Sequence, residues 1–95
     1  MNTDYAYNRA VVFCYILRGN EVLLIRRAAP PEADKYTVPG GRKERGEDLL
    51  TACKREAREE TGLVLHSAVF RGVLSIAAEG AETETLAFYF LSRDF

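Results

Sequence analysis

The order of apolar and polar positions divides this chain into short strands around one amphipathic helix. Arg9 to Leu17 is an apolar, β-branched and aromatic run, and its composition predicts a central strand. Arg18-Gly19-Asn20 has turn chemistry. Glu21 to Arg26 then predicts a second strand that closes a hairpin. Ala28 to Lys35, with Pro30-Pro31, is a loop, and Tyr36 to Val38 is a short strand ending at Pro39-Gly40-Gly41. The adjacent glycines are expected to take backbone angles closed to other residues, turning a carbonyl toward a ligand. After the charged loop Arg42 to Gly46, a helix is predicted from about Asp48 to Thr61. Glu47 and Asp48 stand at its positive end, and Gly62 is its left-handed cap.

Helical spacing divides that segment into three expected faces. Leu50, Cys53 and Ala57 pack on the sheet, and Lys54 and Arg58 lie in solvent. Glu56, Glu59 and Glu60 fall on one arc: with Glu56 at zero, the others sit at roughly −60° and +40°. Like charges at this spacing repel by about 0.2–0.5 kcal/mol per pair, so their concentration suggests a hard divalent cation. Beyond the helix, Leu65 to Ile76 predicts a long strand bent at Gly72. Ala77 to Glu84 is a turn, and Thr85 to Leu91 alternates, with Leu86, Phe88 and Phe90 on one face. Met1 to Asn8 is expected to be a loose arm.

Composition adds bounds. Ninety-five residues allow one domain, and 13 basic against 14 acidic residues leave a net charge of −1. That balance argues against coating nucleic acid or binding a membrane through a polybasic patch. Polar and aromatic Met1 to Asn8 does not resemble a signal peptide. Ala10 to Leu17 is too short to cross a bilayer. Cys14 and Cys53 lack metal-ligand spacing and are expected as two buried thiols of a cytoplasmic protein rather than a disulfide.

The stretch Gly41 to Leu63 resembles the Nudix box, the signature of Nudix hydrolases, in order and spacing. Gly41 is followed after five residues by Glu47. After seven more come Arg55-Glu56-Ala57, then Glu59-Glu60 and Gly62-Leu63. Seven identities at these spacings would arise by chance on the order of once per billion registers. Ala57 departs mildly, standing where the pattern favours a larger aliphatic.

The resemblance implies an α/β (α+β) fold, an α/β/α sandwich with a mixed sheet, over residues 1–95 as a single domain. It also implies a further strand and a second helix on the opposite sheet face, which the chain is expected to lack. The bared face would then favour a homo-oligomer or poor stability. The implied reaction is hydrolysis of a nucleoside diphosphate linked to another group, with Mg²⁺, or Mn²⁺ in its place. Glu56, Glu59, Glu60 and the Gly40 carbonyl would be the ligands. Glu56 or Glu59 would be the general base, unless a later loop, beyond Phe95, supplies it.

Arg55 would orient a carboxylate, Glu47 would pair with Arg55 or cap the helix, and Gly41 and Gly62 are structural within the motif. Arg27, second of the pair Arg26-Arg27, would meet substrate phosphates; the alternative is a solvated edge charge. The strand Val69 to Ile76, followed by a turn and an aromatic strand, looks most like the nucleoside triphosphate branch that sanitises 8-oxo-dGTP. Two alternatives stay open: a non-catalytic or weakly catalytic nucleotide-binding module, and a hydrolase of ADP-ribose or dinucleotide polyphosphates. His66 is expected to be exposed or satisfied in a strand. Tyr5, Tyr7, Tyr15, Tyr36 and Tyr89 could stack on a base or simply pack.

Overall fold

A computed structural model of the chain describes residues 9–28, 34–77, 80 and 84–95. The expected N-terminal arm lies outside them, as do parts of the two loops 28–35 and 77–84. Strand β1 (Arg9–Arg18) is the longest apolar run made regular, and β7 (Thr85–Asp94) lies parallel to it from Arg9 opposite Thr85 to Ile16 opposite Ser92. The long strand β6 (Ser67–Ile76) pairs antiparallel with β7 and forms one edge. The other margin of β1 is divided. Its start pairs with β5 (Gly40–Arg42), and its end with β2 (Glu21–Val22). The sheet is therefore mixed, as expected.

Three local expectations change. The second strand of the hairpin breaks: Leu23 still donates its N–H to the Ile16 carbonyl at 2.9 Å, but β3 (Ile25–Arg26) leaves the main sheet. It pairs with β4 (Tyr36–Thr37). The diglycine, expected to end the strand Tyr36 to Val38, instead opens β5, with Arg42 as that strand's last residue rather than the start of a loop. The bend expected at Gly72 appears as register shifts in the β6–β7 ladder, between Ser67 and Val69 and between Phe70 and Gly72, the signature of bulges.

Helix α1 (Leu49–Thr61) is fixed at both ends by its sequence. The Asp48 carboxylate accepts from the Thr51 N–H at 2.7 Å, and Gly62 closes the helix at φ 78° with its N–H on the Arg58 carbonyl. These satisfy groups that a helix end otherwise leaves unpaired. The face α1 presents to the sheet is centred on Ala52, Cys53 and Ala57, all fully buried. Leu49 packs against this core, while Leu50, expected inside, is 40% exposed. Around the helix axis Leu49 and Ala52 lie on one flank of Cys53, and Leu50 lies on the other.

Opposite that face sit Val12, Cys14 and Ile16 of β1, with Phe90 of β7. Cys14 and Cys53 are free thiols, as expected, with sulfur atoms 2.7 Å apart. Their hydrogen bond and burial push the Cys14 thiol far above the usual range, and the same bond lowers Cys53. On the far side of the sheet Phe13 stacks on Tyr89 at 5.5 Å, and Tyr15, Val69, Leu74 and Ile76 remain about half exposed. Among the described residues no helix is long and apolar enough to cross a membrane.

Candidate active site

The site begins where β5 passes under α1. A Cβ on Gly40 would collide with the Val12 carbonyl and lie 2.8 Å from the Phe13 ring. A Cβ on Gly41 would lie 2.6 Å from a Glu56 carboxylate oxygen. Neither glycine has a positive φ. Their role is therefore close approach, not the special backbone angles expected of them: one lets β5 lie against β1, and the other leaves room for a carboxylate.

Arg55 organises the acidic groups, more widely than the single carboxylate expected of it. Its Nε and Nη2 donate to the two oxygens of Glu47, at 2.7 and 3.0 Å. Its Nη1 reaches Glu56 at 2.8 Å and Glu59 at 3.2 Å, and Nη2 also donates to the Arg42 carbonyl at 2.9 Å. A guanidinium has five N–H groups, and these five bonds match that number. Glu47 additionally accepts from the Glu44 N–H at 2.9 Å. The Arg55 fork and that N–H hold the Glu47 carboxyl down at about 2. Glu47 thus pairs with Arg55, and the capping role falls to Asp48.

Glu60 is placed differently. Its carboxylate accepts from the Gly40 N–H at 2.9 Å. Loss of solvent around the carboxylate raises its pKa, opposed by the Gly40 bond and reinforced by the nearby charge and side-chain hydrogen bond of Glu56. Glu56 thus acts electrostatically on Glu60, and Glu59, its side chain 57% exposed, shares the Arg55 Nη1 with Glu56 on the solvent side. Among the described residues no three His, Cys, Asp or Glu side chains close on a single point.

Glu60 lines a cleft of about 520 Å³ together with Gly40, Gly41, Phe13, Arg26 and Arg27. Arg26 is paired with Asp34 at 3.0 Å. No ion pair engages Arg27 among the described residues, which leaves its guanidinium available at the cleft wall. Glu59 lies instead along a groove on the outer side of α1, with Lys54 and Arg58. Glu44 and the Arg42 carbonyl join the Arg55 network without having been singled out, since a charged loop carries no periodicity to mark them. Phe13 could have been found from the alternation of β1. His66 is exposed, its N–H donating to the Asp94 carbonyl at 2.8 Å. Tyr15 and Tyr89 lie on the far sheet face, Tyr36 is 67% exposed, and Tyr5 and Tyr7 lie outside the described residues.

The family model described as NUDIX domain matches residues 7–94. This chain belongs to the Nudix family. Its fold superposes on the crystal structure of a MutT NUDIX hydrolase from Burkholderia pseudomallei with a TM-score of 0.82 and 30% identity, over 92% of this chain and 67% of that one. It is 37% identical over 71 residues to the ADP-ribose pyrophosphatase of Methanocaldococcus jannaschii, covering 75% of this chain and 42% of that protein. It is 32% identical over 83 residues to the 8-oxo-dGDP phosphatase NUDT18 of Mus musculus, covering 87% of this chain and 24% of that protein. This Nudix chain thus spans less than half the length of both curated relatives. Within it, the box residues Glu47, Arg55, Glu56 and Glu59 form one hydrogen-bonded cluster, while Glu60 bonds to Gly40 and Gly62 caps α1.

Proposed function

We propose that this chain forms the catalytic unit of a Mg²⁺-dependent pyrophosphohydrolase. Its substrate would be a nucleoside diphosphate linked to another group, and foremost a nucleoside triphosphate of the 8-oxo-dGTP type. The observation that carries the reading is Glu60, bonded to the Gly40 N–H at a cleft whose wall holds Arg27, with the Glu56 carboxylate against the neighbouring Gly41. Three observations bear on the fit of a divalent cation. The Glu60 carboxylate sits on the Gly40 N–H at the cleft, the donors are all hard oxygens, and Gly41 leaves the Glu56 carboxylate unobstructed. Glu56, Glu60 and the Gly40 carbonyl would hold the ion, and Glu59 would join them by turning in from the outer groove. When bound, it would offset phosphate charge and lower the pKa of a water.

The protein's own groups do the remaining work. Arg27 contacts the substrate phosphates. Arg55 fixes the direction of Glu56 and Glu59, either of which can accept the proton of the attacking water. The mouse relative, named for an oxidised guanine nucleotide, supports the 8-oxo branch. The archaeal relative supports ADP-ribose as the competing substrate. A second reading, a nucleotide-binding module with weak turnover, draws on the outward position of Glu59.

The experiment uses the protein with a triphosphate panel and ADP-ribose, assayed for pyrophosphate and monophosphate release with and without Mg²⁺. Glu59→Gln and Glu60→Gln should each abolish Mg²⁺-dependent turnover while leaving the thermal midpoint nearly unchanged. Undiminished activity in both variants would remove the metal assignment. Calorimetric binding of nucleotide without product would select the second reading.

A further inference from the structure

The buried thiols of Cys14 and Cys53 have no part in the hydrolytic site, yet their placement is specific. Cys14 comes from the middle of β1 and Cys53 from the inward face of α1. They are separated by 39 positions in sequence. Both residues are essentially solvent-free, and their sulfur atoms lie 2.7 Å apart. A disulfide needs about 2.05 Å, so the two sulfurs have less than 1 Å to travel. The Cys14 thiol also reaches the Cys53 carbonyl at 3.2 Å, which keeps it turned toward the partner residue. Core cysteines that only fill space do not require this juxtaposition.

The surroundings link the pair to the site. The N–H of Cys14 donates to the Pro39 carbonyl at 2.8 Å, immediately before Gly40. Cys53 lies one helical turn before Glu56 and two before Glu60 on nearly the same side of α1. A bond between the sulfurs would join the strand that supports the diglycine to the helix that carries the carboxylates.

We propose that Cys14 and Cys53 are a redox-convertible pair, closed by a peroxide into an intramolecular disulfide that staples α1 to β1, and reopened by a dithiol. The chemistry balances in two displacements. Cys53, on the helix that lifts to admit the oxidant, attacks a peroxide oxygen and its thiol proton passes to the leaving oxygen. The O–O bond breaks, Cys53 becomes a sulfenic acid, and the peroxide leaves as an alcohol or water. The Cys14 sulfur then attacks the sulfenic sulfur and the S–O bond breaks. The hydroxide released takes the Cys14 proton and departs as water. Two thiols have lost two electrons to one peroxide. A dithiol reverses the change by forming its own disulfide. Because the pair is enclosed, a peroxide enters only when α1 lifts locally from the sheet, so closure is slow in the folded protein and faster in mild urea.

The test requires no catalytic activity. The wild-type chain is treated with hydrogen peroxide, denatured, alkylated and weighed intact. The expected result is loss of two hydrogen masses, no alkylation, and one protease-resistant link between the peptides carrying Cys14 and Cys53. Dithiothreitol should restore both alkylation sites. Closing a loop of this length should raise the thermal midpoint on the order of 10 °C. Cys14→Ala and Cys53→Ala should each lose the link and the shift. Oxygen addition at a single thiol, two alkylated thiols after oxidation, or an unchanged midpoint in a chain shown to be linked would each overturn the proposal.

Discussion

Replacing the two glycines of β5 one at a time separates what the strand does for the fold from what it does for the site. In Gly41→Ala the new methyl would sit 2.6 Å from Oε2 of Glu56 and 2.7 Å from its carboxyl carbon. Ordinary contact begins near 3.4 Å, so the carboxylate must retreat by about 0.8 Å. Its 2.8 Å bond from Arg55 would then stretch to roughly 3.6 Å, beyond hydrogen-bonding range. The backbone is not obliged to move, because the obstacle is the end of a side chain.

Loss of that charge-assisted bond costs about 1.5–3 kcal/mol, and alanine returns about 0.4–1 kcal/mol by restricting the unfolded chain. The net loss of stability should thus be about 0.5–2.5 kcal/mol, less to the extent that the guanidinium follows the carboxylate. A displacement near 1 Å in a catalytic group can cost about 100-fold in rate, so turnover should fall by roughly that factor. Gly40→Ala meets the Val12 carbonyl and the Phe13 backbone, which cannot yield, and should lose about 1–3 kcal/mol or more to overpacking. Urea denaturation and steady-state pyrophosphate release measure both quantities for both variants. Near-wild-type turnover in Gly41→Ala, or a smaller stability loss in Gly40→Ala than in Gly41→Ala, would refute the reasoning.

Two further outcomes are expected. Arg55→Lys keeps a positive charge but lacks the planar fork that spans Glu47, Glu56 and Glu59. The Mg²⁺ concentration for half-maximal rate should rise by about 10-fold or more, as read from a metal titration of turnover. The Glu47 carboxyl lies at about 2 in the fold against an ordinary 4.5, a depressed value. Its stabilising contribution is therefore present above about pH 4.5 and is lost as pH falls toward 2. In urea melts across that range the advantage of the wild type over Glu47→Gln should shrink steadily on acidification. A gap independent of pH would dissociate Glu47 from the acid sensitivity.

How much the sequence revealed depended on whether the determining interaction was local. The ends of α1 were legible because Asp48 and Gly62 act on their own neighbours. The box spacing placed Glu47, Arg55 and Glu56 together because a helix and its lead-in set their separation. The break between β2 and β3 was not legible. Leu23, Leu24 and Ile25 form one apolar run, and only the partner on the other side, Ile16 for Leu23 and Thr37 for Ile25, distinguishes them. The use of the diglycine was likewise set at a distance, by the Val12 carbonyl and the Glu56 side chain. Nor did the three carboxylates converge as their shared arc suggested. Glu60 reaches across to the Gly40 N–H and Glu59 turns out toward solvent, a choice of rotamer and neighbour that spacing does not contain.

Viewed down its axis, α1 does not keep its interior and its chemistry on separate sides. Cys53, Ala57, Glu56 and Glu60 occupy one continuous sector, the first two sealed against β1 and the latter two reaching the diglycine strand. Any change of bulk beneath the middle of the helix tilts the lever on which the acidic groups ride. The small Ala57, fully enclosed where the family pattern favours a larger side chain, therefore sets the height at which Glu56 and Glu60 stand above β5. Packing and reactivity in this protein are two readings of the same few ångströms.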